Sequence, residues 1–318
     1  MMSKVGIDYV TERIRTVINE LMRYFVGDEE VIIKIMASII VNGHVLIEDV
    51  PGIGKTFLSK MLARVLGLKF SRIQFTPDLL PSDIIGTKAW RPDKGDFELV
   101  LGPIFANFVL ADEVNRAPPK VQSALLEAMQ EGQVTIEGET IKLPQPFIVV
   151  ATQNPIELEG TYPLPEAQLD RFMIRIRLGY PRDEIELLKR RISWRSNDPT
   201  PQVRTILSGD ELLIIRDFIE NNIMVSDDVM KYIVSFNVIR KDPRVLAGPS
   251  PRGLMALMSI GRAIAAIEGR DYVIPDDIKR VAVEALSHRI VLKPEVSLEG
   301  VSGEDIVREY VEKIPVPK

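Results

Sequence analysis

The residues best placed to do chemistry are Gly52, Gly54, Lys55 and Thr56, in the run Leu46-Ile47-Glu48-Asp49-Val50-Pro51-Gly52-Ile53-Gly54-Lys55-Thr56. A glycine-rich turn between an apolar strand and a helix turns its backbone N–H groups toward a polyphosphate. The lysine at its end reaches the β- and γ-phosphates, and the Ser/Thr hydroxyl after it ligates Mg²⁺. Leu58, Met61, Leu62, Val65 and Leu66 supply the following helix by their spacing. The expected ligand is a nucleoside triphosphate. Asp49 stands where the pattern has glycine, and its carboxylate is tolerable only if it points away from the phosphates.

A second candidate is Phe108-Val109-Leu110-Ala111-Asp112-Glu113, an apolar strand with two carboxylates at its C-terminal end, where open α/β sheets bind ligands. Asp112 would hold the Mg²⁺ shell, and Glu113 would take the proton of, or orient, an attacking water. A third strand ends in Ala151-Thr152-Gln153-Asn154-Pro155. The Asn154 amide could orient that water; an asparagine before proline also simply makes turns. Arg252 follows Pro251 in the first turn of a helix, where the helix dipole disfavours a cation. It therefore asks for an anionic partner, such as a γ-phosphate, unless it is merely solvated. Arg171, at a helix-to-strand junction, is either an arginine finger for a neighbouring subunit or the partner of an adjacent acid.

These residues need a frame. Helical faces are expected at about 8–23 and 28–41. Strands are expected at about 44–48, 69–75, 107–111, 146–151 and 172–178, most of them separated by helical patterns. Such alternation predicts a parallel sheet covered on both faces. In the last run Phe172, Ile174, Ile176 and Leu178 alternate with Met173, Arg175 and Arg177, which predicts an edge strand with one exposed face. Two insertions, 84–102 and 132–143, read as hairpins. With Trp90 they would face a pore or a partner, the plainer reading of Trp90 being core packing. Beyond residue 180 only helices are expected, opened by Ser208 with Glu211, by Ser226, by Ser250-Pro251 and by Pro275. The boundary is placed at 185/186.

Composition narrows the classes. Of 318 residues 46% are apolar and 27% charged, as in globular proteins, and the formal net charge of -5 speaks against a general nucleic-acid surface. With no cysteine and only His44 and His288, thiol chemistry and histidine-rich metal centres are excluded. Both histidines read as structural, His288 as a cation suited to a helix C-terminus. Glu12, Arg13 and Arg15 interrupt any signal-peptide core, and Lys34, Asn42, Gly43 and His44 break the most apolar stretch. A cytoplasmic protein without a membrane span is expected.

The order of phosphate loop, Asp-Glu strand, Asn strand, Asp-Arg junction and late Pro-Arg helix resembles the AAA+ ATPases. Four phrases resemble the MoxR family within them: Gly43 to Glu48, Arg72-Ile73-Gln74-Phe75-Thr76-Pro77-Asp78-Leu79-Leu80-Pro81-Ser82-Asp83, Ala111 to Arg116, and Ala151 to Pro155. The resemblance spans nearly the whole chain. It implies an α/β P-loop NTPase core with a five-stranded parallel sheet (residues 1–185), followed by an all-α lid (186–318). It implies ATP and Mg²⁺ as cofactors, with Pro51, Gly52, Ile53, Gly54, Lys55, Thr56 and Phe57 on the nucleotide and Thr56 and Asp112 on the metal. Glu113, Asn154 (sensor 1), Arg171 (arginine finger) and Arg252 (sensor 2, in cis or in trans) would be catalytic. It further implies a homo-hexameric ring and a chaperone role on client proteins, often beside a von Willebrand factor A-domain protein. A nucleic-acid motor resembling the minichromosome maintenance helicases and a magnesium-chelatase-type motor subunit are the alternatives.

Overall fold

A computed structural model describes residues 5–156, 160–195 and 197–317. Its strands are β1 (Val45–Glu48), β2 (Phe70–Gln74), β3 (Gly86–Arg91), β4 (Asp96–Leu101), β5 (Phe108–Asp112), β6 (Gln133–Ile136), β7 (Glu139–Lys142), β8 (Ile148–Gln153), β9 (Ile174–Ile176), β10 (Val245–Ala247) and β11 (Val291–Leu292). The helices of the first half are α1 (Ile7–Met22), α2 (Glu29–Ile40), α3 (Lys55–Val65), α4 (Pro81–Ile85), α5 (Pro119–Glu131), α6 (Glu166–Leu169) and α7 (Glu184–Ser193). Those of the second half are α8 (Gly209–Asn222), α9 (Asp227–Ser235), α10 (Pro251–Ile267), α11 (Pro275–Leu286), α12 (Pro294–Leu298) and α13 (Gly303–Lys313).

Five strands form one sheet in the order β2-β5-β8-β1-β9, every pairing parallel. The central strands are apolar on both faces because both are covered. Phe108 and Leu110 of β5 join the core that includes α1, α2, α3 and the C-terminal helices, while Val109 and Ala111 join the core with α5. Parallel strands all deliver their C-terminal ends to one side. The ends of β1, β2, β5 and β8 thus bring Asp49, Gln74, Asp112 and Gln153 to one rim of the sheet.

The two insertions are antiparallel hairpins, β3–β4 and β6–β7. Trp90 is not core: it is 54% exposed and makes an edge contact with its cross-strand partner Phe97, which is 61% exposed. Strand β9 is an edge as expected and Arg177 just beyond it is exposed, but Arg175 is largely covered. Arg175 turns onto Glu48 at 3.2 Å and lies 4.0 Å from Glu304 of α13, so paired charge replaces solvent there. The region beyond residue 180 is helical with one correction: β10 and β11 pair antiparallel, segments of three and two residues. Runs that short carry no readable alternation. The capping expectations hold, Ser208, Ser226 and Ser250 each accepting a backbone N–H at the start of α8, α9 and α10.

Candidate active site

The phosphate loop begins with two left-handed glycines, Gly52 (φ 88°) and Gly54 (φ 90°), a conformation that costs a side-chain-bearing residue energy. Gly54 caps α3, so Lys55 and Thr56 occupy its first turn. Lys55 Nζ donates to the backbone oxygens of Asp49 (2.5 Å) and Gln153 (3.4 Å). Partial burial lowers the Lys55 pKa, opposed by the charges of Asp49, Asp112 and Glu113. The Asp49 carboxylate does point away: Oδ1 accepts from Val50 N and Oδ2 from Gly179 N, both at 2.8 Å.

Asp112 is buried at the end of β5, with Thr56 Oγ1 3.4 Å from its Oδ2. A hydroxyl and a carboxylate oxygen so close are hard donors that fit Mg²⁺, which takes few protein ligands and keeps several waters. Glu113 leaves the strand in a left-handed conformation (φ 59°, ψ 50°), which turns its side chain out of the strand alternation. Its Oε2 accepts from Gln74 Nε2 (2.8 Å) and Arg116 Nη1 (3.2 Å).

Three residues at this rim carry no role in the sequence reading. Thr152 is fully buried, donates to Asp112 Oδ1 at 2.6 Å and accepts from Glu113 N at 2.9 Å. Gln74 holds Glu113, and Arg72 donates from Nε (3.0 Å) and Nη2 (2.7 Å) to Asp112 Oδ2. Strand adjacency was the available signal: with β8 beside β5 and Ala151 opposite Ala111, the next residue pair is Thr152 and Asp112. Asn154 lies just past β8. Its Oδ1 accepts from Ile156 N at 3.1 Å, the turn geometry that the alternative reading anticipates.

Arg171 and Arg252 come together, but elsewhere. Both line a cavity of about 270 Å³ with Gly43, His44, Asp170 and Met255. Gly43 and His44 precede β1 and Arg171 precedes β9, so this cavity is at the N-terminal ends of the strands. The phosphate loop is at the other end, separated along β1 by roughly 15 Å at the usual strand rise. The anion that Arg252 asks for is, within this chain, Asp170, at 4.0 Å. Asp170 also accepts from Ser250 Oγ (2.9 Å) and from buried Arg289 (2.7 Å). Nε of Arg171 is buried with no hydrogen-bond partner among the described residues.

Beside the loop a second cavity, about 360 Å³, is lined by Phe25, Val26, Ile53, Phe57, Tyr180 and Leu187 among others. Its apolar walls suit a flat heterocyclic base. Of its lining, Pro51, Gly52, Ile53, Gly54 and Phe57 belong to the expected nucleotide contacts, whereas Phe25, Val26, Tyr180 and Leu187 escape a motif-based reading.

Comparison with known proteins agrees with this geometry. A model of the ATPase family associated with various cellular activities (AAA) matches residues 44–174, and an AAA lid domain model matches 239–310. The chain is 43% identical over 309 residues to "Chaperone MoxR1" of Mycobacterium tuberculosis, covering 94% of this chain and 81% of that one. The chain belongs to the MoxR family of AAA+ ATPases. "Uncharacterized protein YeaC" of Bacillus subtilis is 46% identical over 301 residues, covering 94% and 93%. A crystal structure of a Cytophaga hutchinsonii protein, described as a candidate ATPase, superposes with a TM-score of 0.88 at 45% identity, covering 98% and 97%. This MoxR-family chain is thus a nucleotide-binding, ATP-hydrolysing enzyme. Among its described residues no helix is long and apolar enough to cross a membrane.

The histidines of the MoxR-family chain stay outside the chemistry. His44 Nδ1 accepts from Val149 N and Nε2 meets Met129 O, both at 3.1 Å, and burial pulls its pKa down to about 4. His288 is corrected in one respect. It is buried, with Arg289 and Arg175 near, so its pKa falls well below the ordinary value and it is neutral rather than a cation at a helix end.

Proposed function

We propose that this chain is the subunit of a homo-oligomeric ring, a hexamer, that hydrolyses Mg²⁺-ATP at sites shared between neighbours. It spends the energy on remodelling or maturing client proteins. Residues 1–185 act as the nucleotide-binding unit and 186–318 as the lid. The observation that carries the ring is the placement of Arg171 and Arg252 at the strand ends opposite the phosphate loop, beyond reach of their own nucleotide.

In this reading Pro51 to Phe57 and the apolar cavity hold ATP, with Lys55 on the β- and γ-phosphates. Thr56 and Asp112 hold Mg²⁺, which neutralises charge on the phosphates when bound. Thr152 fixes the Asp112 carboxylate and the Glu113 backbone together. Glu113, once released by Gln74 and Arg116, takes the proton of the water that attacks the γ-phosphorus directly, while the bond from that phosphorus to the bridging oxygen breaks and ADP leaves; Asn154 borders that water. Arg171, with Arg252, from the neighbouring copy meets the charge that grows on the departing phosphoryl group. Support for the chaperone role is the name of the Mycobacterium tuberculosis relative, "Chaperone MoxR1". A von Willebrand factor A-domain protein is the partner to look for, and the cysteine-free sequence fits a cytoplasmic setting.

Subunit mixing tests the shared site. Glu113→Gln and Arg171→Ala are each expected to bind ATP and turn it over at well below about a hundredth of the normal rate. Mixed, they should regain turnover, because some interfaces then pair an intact Glu113 with an intact Arg171. A mixture as inactive as its components would remove Arg171 from the neighbour's site.

A further inference from the structure

Arg72 holds a position on β2 that the hydrolysis described above does not use. Both its Nε and its Nη2 donate to one oxygen, Oδ2 of Asp112, while Thr152 occupies Oδ1. The same Oδ2 is the oxygen near the Thr56 hydroxyl, so it is the one that faces the metal. A guanidinium fork and a divalent cation compete for it, since both are cations seeking the same lone pairs, which Nε and Nη2 already occupy. The Arg72 side chain is 47% exposed and that of Asp112 only 9%, so the arginine has room to leave and the carboxylate does not. Gln74 Oε1, 2.5 Å from Nη2, gives the departing guanidinium a second anchor.

We infer that Arg72 is a positioning residue that serves as a resident cation on Asp112 and is exchanged for Mg²⁺ when the metal–nucleotide complex enters. It thereby sets how strongly nucleotide binding depends on the metal. The inference rests on Asp112 as the metal-side carboxylate. Without metal, the guanidinium screens ATP from a buried negative charge. With metal, the same guanidinium is a competitor that must be displaced. Removing it therefore acts in opposite directions: metal-free ATP binds more weakly, and Mg²⁺ is held more tightly.

The test is binding of a fluorescent, non-hydrolysable ATP analogue, followed by anisotropy in EDTA and across a Mg²⁺ titration. Arg72→Met keeps the apolar stem and loses the charge. Its ratio of Mg²⁺-containing to metal-free affinity is expected to rise by on the order of fivefold or more over wild type, with a lower half-saturating Mg²⁺ concentration. Arg72→Lys, a point charge without the fork, should fall between the two. A purely structural salt bridge would weaken both conditions alike, so a ratio within about twofold of wild type overturns the exchange. If Arg72→Met does not fold, Arg72→Gln also removes the charge, and the same criterion applies to it. Asp112→Asn separates the premise from the inference. Loss of Mg²⁺ dependence there with an unchanged ratio in Arg72→Met defeats the exchange alone; retained dependence defeats the metal assignment and the inference with it.

Discussion

One hydroxyl, that of Thr152, fixes two acids: it donates to the Asp112 carboxylate and receives the Glu113 N–H. The left-handed Glu113 backbone costs on the order of 1–3 kcal/mol and persists because such neighbours hold it. His44 shows the same principle away from the chemistry. Its Nδ1 accepts from Val149, so a proton there would break that bond inside the core. The folded-state pKa near 4 lies below the unfolded value of about 6.5, so the unfolded chain binds the extra proton between those values. The stability from keeping His44 neutral is complete above pH 6.5 and is lost as pH falls toward 4, roughly 3 kcal/mol in all. Denaturant midpoints at pH 7 and pH 4.5 should therefore diverge less in His44→Gln than in wild type; equal divergence would contradict the assignment. Asp112, Glu113 and Lys55 were legible because their types and spacing form a motif. Thr152, Gln74 and Arg72 were not, because their roles depend on which strands lie side by side.

Among the elements, long apolar strands announced themselves and short ones did not. β5 and β8 are buried on both faces and read as continuous apolar runs, whereas β10 and β11 are too brief to show a period. The fate of Arg175 was hidden for another reason: Glu304, its neighbour in space, is far away in the chain. Helices α3 and α7 meet beside the base cavity, where Phe57 of α3 packs on Trp194 at the end of α7, ring centroids 5.9 Å apart. Trp90 sits on the exposed β3–β4 hairpin instead. Of the two tryptophans, Trp194 touches a residue that lines this cavity, whereas Trp90 packs on Phe97 of its own hairpin. ATP addition should change tryptophan emission in Trp90→Phe as in wild type and leave it unchanged in Trp194→Phe; the reverse pattern would misplace the cavity.

For the whole molecule, the parallel sheet puts the expected phosphate-binding residues at one rim and Arg171 and Arg252 at the other. In the proposed ring a single copy would therefore own two halves of different sites. Turnover per chain should rise with protein concentration and reach a plateau as copies associate. A constant turnover per chain over about a hundredfold dilution would show that one copy suffices. The broad layers of the fold were anticipated, but whether Arg252 lies near its own phosphate loop was left open, since chain order says nothing about which end of a strand a later helix reaches.

Asp49 closes the matter of the odd residue in the loop. Through Gly179 it ties the strand end before the loop to the stretch that leads into α7, so the two share a single peg. The loop cannot be tilted as a rigid piece without tugging residue 179 or snapping that peg. A glycine there would match the common pattern better and leave the cradle intact, yet it would unfasten a joint between the phosphate grip and the first helix leading away from the sheet.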